Sequence, residues 1–160
     1  MARPDPRAVV QQGGTDRQER AFAKTVSESD VYLFAGISGD FNPAHINQAY
    51  AEQTAFKTRI AHGMLSGALM SAALAMELPG PGAVYIKQSL TFRLPVKVGD
   101  TVTIQLEVTD KKDRRRFVTL DCKAVNQNGK VVANGTAEVI APADKIMIER
   151  PEVPQVSLVG

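Results

Sequence analysis

The chain has no tryptophan, one cysteine (Cys122) and two histidines (His45 and His62) in 160 residues. A single thiol excludes an internal disulfide framework, and two imidazoles leave a protein-built zinc site short of its usual ligands. Charge of one sign is also scarce. The 19 Lys and Arg against 17 Asp and Glu leave +2, too little to draw nucleic acid or membrane to the whole surface. Long apolar runs are missing. Near the N-terminus the longest is Ala8-Val9-Val10, far below the roughly 7–15 residues of a signal-peptide core. The most apolar stretch, Met64 to Leu78, is broken by Ser66, Gly67, Ser71 and Glu77 and falls short of the about 20 residues a membrane span needs. These absences point to metal-free chemistry in a reducing, cytoplasmic setting. What is present, 44% apolar and 22% charged residues, suits one globular domain, and a chain of this length buries enough surface to hold a core without staples.

Ser27-Glu28-Ser29-Asp30 reads as a capping box opening a helix that runs to about Ile37, with Val31, Phe34, Ala35 and Ser38 as its core stripe. Gly39-Asp40-Phe41-Asn42-Pro43 stops it, since Pro43 pushes Asn42 out of the helical region. Asn47 is placed to cap a short helix from Gln48 to about Thr54. The segment from Gly63 to Glu77 is apolar or small on every face, which predicts a long helix buried all round, with Met64, Met70 and Met76 as core filling. Past Pro79-Gly80-Pro81-Gly82 the period changes from 3.6 to 2. One long strand is expected with Val84, Ile86, Leu90, Phe92 and Leu94 inward, then a strand over Val102, Ile104, Leu106 and Val108. A third strand carries Val118, Leu120, Cys122 and Ala124, and Asn128-Gly129 turns it into a fourth from about Lys130 to Ile140. Arg20 to Val26 adds a fifth. The expected class is therefore α+β, an antiparallel sheet of about five strands curled around one long buried helix. Residues 20–141 form that domain, 1–19 a polar tail, and 142–160 a proline-containing tail or linker. The basic run Lys111-Lys112-Asp113-Arg114-Arg115-Arg116 reads as a solvated hairpin turn, and Cys122 as an inert core thiol.

Two segments carry candidate chemistry. Gly39 to His45 gathers a carboxylate, Asp40, and an imidazole, His45, in one turn-rich loop, although Asp40 also suits a plain turn and His45 a helix cap or surface position. His62-Gly63 stands at the head of the long helix, where free amides polarise a carbonyl oxygen and glycine admits close approach; Gly63 also suits a simple helix start.

Phe34-Ala-Gly-Ile-Ser-Gly-Asp-Phe-Asn-Pro-Ala-His45, then Ile60-Ala-His-Gly-Met64, then Gln88-Ser-Leu-Thr-Phe-Arg-Leu-Pro-Val-Lys-Val-Gly-Asp100, closely resembles the MaoC-like (R)-specific enoyl-CoA hydratases of the hot-dog fold. The resemblance spans about residues 20–141. It implies that Asp40 and His45 hold one water for addition to a trans-2-enoyl thioester, that the Gly63 amide binds the thioester carbonyl, and that Asn42, His62 and Ser71 serve substrate binding, Asn42 orienting the loop and Ser71 supporting it. It also implies an acyl-CoA substrate, with acyl carrier protein as the other possible thioester carrier, no cofactor or metal, and a homodimer, without nucleic-acid or membrane partners. A hot-dog acyl-CoA thioesterase and a non-catalytic acyl-thioester binding module are the competing readings.

Overall fold

The computed structural model describes residues 19–144 together with 146, 148, 149, 156 and 159. The N-terminal tail and most of the C-terminal tail expected from the sequence lie outside the described residues. Elements follow in the order β1 (Glu19–Thr25), α1 (Glu28–Ser38), α2 (Pro43–Ile46), α3 (Gln48–Ala51), α4 (Gly63–Met76), β2 (Val84–Gln88), β3 (Thr91–Phe92), β4 (Thr101–Lys112), β5 (Phe117–Val125) and β6 (Val131–Ile140).

The sheet is antiparallel and has six strands rather than about five, in the order β1-β4-β5-β6-β2, with β3 also paired to β6. The extra strand comes from a break in the long strand expected between Val84 and Leu94. At Ser89 the chain leaves the β6 ladder and rejoins it at Thr91. The Ser89 N–H donates to the Thr136 carbonyl at 2.9 Å, and its hydroxyl accepts from the Thr136 N–H at 2.9 Å. This crossing is so close that a Cβ at Gly135 would lie 1.8 Å from the Ser89 carbonyl oxygen. β2 is one edge of the sheet, and Val84, Ile86, Phe92 and Leu94 are exposed in the single chain rather than facing the core, while Tyr85 is exposed as its outward place in the alternation predicts.

Alternation on β4, β5 and β6 buries Val102, Ile104, Leu106, Leu120, Cys122, Ala124, Ala137 and Val139 on one face, and α4 lays Met70, Ala73 and Leu74 against it. Each fully buried aliphatic side chain of this size contributes about 1.5–3 kcal/mol by leaving water. This sheet curled on one helix is the hot-dog arrangement. The helix is not buried all round, however. Leu65, Ser66, Leu69, Met70, Ala73 and Leu74 face the sheet, while Met64, Ala68, Ser71, Ala75 and Met76 form an exposed, mostly apolar stripe. Only Met70 fills core; Met64 and Met76 do not. A helix packed on one sheet has a second face, and among the described residues nothing covers this one.

The capping box forms as expected. Ser27 Oγ accepts from the Asp30 N–H, and the Asp30 carboxylate accepts from the Ser27 N–H. Burial pushes the Asp30 carboxyl up, but the Ser27 bonds and the Lys24 ammonium at 3.0 Å outweigh it, leaving it below the usual aspartate value. On α1, Val31 and Ala35 are buried and Phe34 packs against the core, whereas Ser38 is exposed. The short helix capped by Asn47 ends at Ala51, and Pro43–Ile46 forms a further single turn where a loop was expected. Cys122 is fully buried, and burial raises its thiol to about 11, in keeping with an unreactive core residue.

Candidate active site

The loop between α1 and α2 is fixed by its own polar side chains. Ser38 Oγ donates to the Phe34 carbonyl at 2.6 Å and accepts from the Asp40 N–H at 3.2 Å. Gly39 takes the left-handed conformation, φ 76°, that ends α1. Asp40 Oδ1 accepts from the Asn42 N–H at 3.1 Å, and Asn42 Oδ1 accepts from the Ala44 N–H at 3.0 Å, capping α2. Pro43, with its preset φ and no N–H, fills the first helical position. Asn42 thus caps the turn that carries His45.

His45 is buried, and its Nδ1 lies 2.8 Å from the Ile60 carbonyl oxygen. A carbonyl only accepts, so Nδ1 carries a proton, and Nε2 is the ring nitrogen left to face the loop. That Nε2 faces Asp40 Oδ2 at 3.8 Å, and the Asp40 side chain is 51% exposed. The gap is too long for a direct hydrogen bond, yet one water oxygen fits within about 2.8 Å of both atoms. His62 stacks on His45, with ring centroids 3.9 Å apart, and Phe34 closes its other side at 5.0 Å. Only 3% exposed, His62 donates from Nε2 to the Asp40 backbone carbonyl at 2.9 Å, and its Nδ1 is buried with no partner. It works from beneath the site, holding Asp40 in place. Asp40, His45 and His62 also offer metal-ligand atoms within 4.8 Å of one another. One nitrogen on each ring is already committed to a carbonyl.

Gly63 follows His62 directly and begins α4, so its N–H has no helical carbonyl to bond to. The Phe92 ring packs over it, with carbons 3.3–3.4 Å from where a Cβ would stand. Asp40, Asn42, His45, His62 and Gly63 therefore gather at one end of α4. Ser71 does not join them within this chain. It lies eight residues along the helix, on the exposed stripe, and forms no hydrogen bond to the loop among the described residues. Cavities of about 240 and 330 Å³ open instead around the β4–β5 hairpin, past the other end of α4. There Lys111, Lys112 and Arg116 are exposed, as expected of a solvated turn.

Sequence reasoning missed three contributors. Ile60 acts through its carbonyl, which no residue-type pattern marks. Phe92 looked like a core residue, and only its contact with Gly63 reveals the wall it makes. Arg59 reaches back to α1, where its guanidinium pairs with Glu28 and donates to the Tyr32 hydroxyl at 3.1 Å.

The chain is similar in sequence and fold to known proteins. Residues 11–128 match the MaoC like domain. A protein of Rhodospirillum rubrum named (R)-specific enoyl-CoA hydratase is 55% identical over 126 residues, which are 79% of this chain and 87% of that one. The solved R-hydratase PhaJ1 from Pseudomonas aeruginosa, in unliganded form, superimposes with a TM-score of 0.83 at 48% identity, covering 88% of this chain and 90% of its own. The (R)-hydratase of A. caviae involved in PHA biosynthesis gives a TM-score of 0.77 at 40% identity, covering 82% of this chain and 100% of its own. With its matched domain, its sheet curled on α4 and a relative above half identity, this chain belongs to the MaoC-like domain family.

Proposed function

We propose that this protein is an (R)-specific enoyl-CoA hydratase, adding water reversibly to trans-2-enoyl-CoA to give (R)-3-hydroxyacyl-CoA. The observation that carries the reading is the pair of acceptor atoms, His45 Nε2 and Asp40 Oδ2, 3.8 Å apart beside the N-terminus of α4. Both accept from one water and aim its lone pair at C3 of the substrate. As the C3–O bond forms, the pair takes one proton, the double-bond electrons move toward the thioester, and negative charge gathers on the carbonyl oxygen. The Gly63 N–H, at the positive end of α4 and without a partner among the described residues, meets that charge. Return of the proton from the pair to C2, on the face the water came from, completes a syn addition. The equation balances with substrate and water alone, so the reaction needs no cofactor.

The protein acts in the cytoplasm as a homodimer. Among the described residues no helix is long and apolar enough to cross a membrane. The exposed stripe on α4 and the open β2 edge, with Val84, Ile86 and Phe92 uncovered, support self-association: two-fold pairing buries both at once.

Crotonyl-CoA tests the reading when enoyl absorbance and free thiol are followed together. Absorbance lost without thiol is the expected result. Thiol release would make the protein a thioesterase, and neither change would leave an acyl-thioester binding module.

A further inference from the structure

Arg59 lies in the irregular segment between α3 and α4, yet its side chain is only 15% exposed. It points away from solvent, back to α1. One guanidinium nitrogen pairs with Glu28, another donates to the Tyr32 hydroxyl at 3.1 Å, and the guanidinium carbon lies 5.7 Å from the Tyr32 ring centre. Nε is buried without a partner. A charge so enclosed is costly and has to be held by its remaining bonds.

What Arg59 holds is the His45 support. The next residue, Ile60, donates its N–H to the Ala44 carbonyl at 3.2 Å and offers its own carbonyl to His45 Nδ1 at 2.8 Å. Tyr32, which receives the Arg59 bond, donates in turn to the Ile46 carbonyl at 3.4 Å. One hydroxyl therefore touches both sides of His45: the segment that carries the ring and the segment that orients it. On its far side this stretch is tied to the chain before β4, Ala61 N–H to the Val96 carbonyl at 2.7 Å. Without the guanidinium the link to α1 is lost; the backbone ties of Arg59 to Gln48 Oε1 at 3.4 Å, of Ile60 to Ala44 and of Ala61 to Val96 remain, and the Ile60 carbonyl is held on Nδ1 less firmly.

We infer that Arg59 is a positioning residue: clamped on Glu28 and Tyr32, it keeps the Ile60 carbonyl on His45 Nδ1 and so sets which imidazole nitrogen faces the water. The inference rests on the hydratase reading for its kinetic consequence, but its structural content stands apart from turnover. Lysine cannot replace it. A single ammonium cannot span a carboxylate and a phenol as a planar fork does.

The chain's two histidines give a direct readout, because they are expected in opposite tautomers, His45 with the proton on Nδ1 and His62 on Nε2. In ¹⁵N-labelled protein, long-range imidazole correlation spectra should show both forms in the parent. Arg59→Met and Arg59→Lys should move His45 toward a tautomer mixture and leave His62 unchanged. With crotonyl-CoA, kcat should fall about 10- to 100-fold, the scale of a misplacement near 1 Å, with KM within about twofold. Tyr32→Phe removes only the hydroxyl and should show the same shift more weakly, which keeps the test open if the arginine variants fold poorly. A lowered melting temperature with the parent's tautomer and kcat overturns the inference. So does a raised KM at unchanged kcat, which would make Arg59 a substrate contact. If the parent fails to hydrate crotonyl-CoA, the functional reading falls, and the His45 tautomer in the variants still decides the role of Arg59.

Discussion

Replacing Gly135 with alanine should cost more than any exposed position suggests, for a reason the geometry states. Cβ atoms essentially never approach another heavy atom within 3.0 Å, and here the new methyl would stand 1.8 Å from the Ser89 carbonyl oxygen, so about 1.2 Å of retreat is required. β6 cannot yield, because Gly135 pairs with Cys122 in the middle of the sheet. The 88–90 segment on the edge has to move instead. Doing so breaks the two 2.9 Å bonds between Ser89 and Thr136, about 0.5–1.5 kcal/mol each. It also lifts Leu90 from Gly67, where its Cδ1 lies 2.9 Å from the Cβ position. The sum is about 2–4 kcal/mol, or a melting temperature roughly 5–15 °C lower for a domain of this size. Phe92 rides on the same segment, so turnover of the folded fraction should fall as well. Calorimetry and crotonyl-CoA turnover below the transition measure both effects. Gly36→Ala, on α1 with nothing within 4 Å of its Cβ position, is the control and should gain about 0.5–1 kcal/mol. If Gly135→Ala melts within 1 °C of the parent, the close crossing is not what splits the strand, and the argument fails.

Asp40→Asn and His45→Gln should each lower kcat on crotonyl-CoA by about 10²–10⁴, with the double variant little worse than either, as for groups that act as a unit; near-parent turnover in either single variant places the chemistry elsewhere. Gly63→Pro should fold, since proline suits the first helical position and His62 already has ψ 136°, with the Phe92 ring yielding by a few tenths of an ångström; it deletes the amide, so kcat should drop about 10²–10³ in a protein with unchanged circular dichroism, and Gly63→Ala, which crowds Phe92 but keeps the amide, is the control. Light scattering should give twice the chain mass, and Ala68→Glu, placing a charge on the exposed α4 stripe, should halve it. Asp30→Asn should lower the melting temperature at pH 7. Because the folded Asp30 carboxyl is held below its usual value, that stability exists only above it, and the difference from the parent should close as pH falls through the folded value, a trend that paired melts down to about pH 3 would show.

Most of the fold was legible because its signals are local. Alternation over Val102 to Val108 and Val118 to Ala124, the Asn128-Gly129 turn and the Ser27–Asp30 box each depend on a few neighbouring residues, and each appears where expected. The misreadings share one cause. Apolar character marks a residue that avoids water but does not say what covers it, so Val84, Ile86, Phe92, Met64 and Met76 read as core and are exposed in the single chain. The strand break at Ser89 was hidden because it depends on Gly135, 46 residues away. At the site, Asp40, His45 and Gly63 were visible as a motif. The carbonyls of Ile60 and Asp40, which fix the two imidazoles, were not, since every residue has a carbonyl and only the fold selects which is used.

From Ser27 to Gly63 the chain is one continuous stretch, and it holds the polar groups described at the site: the capping turn, Tyr32, Asp40, Asn42, His45, the Arg59 clamp, Ile60, His62 and the Gly63 amide. The sheet that follows adds a wall, Phe92, and a scaffold. The polar groups at the site thus come from one contiguous segment, which the strands that follow only wall and support. A swap of this single cassette between family members should carry the reacting groups with it as a set.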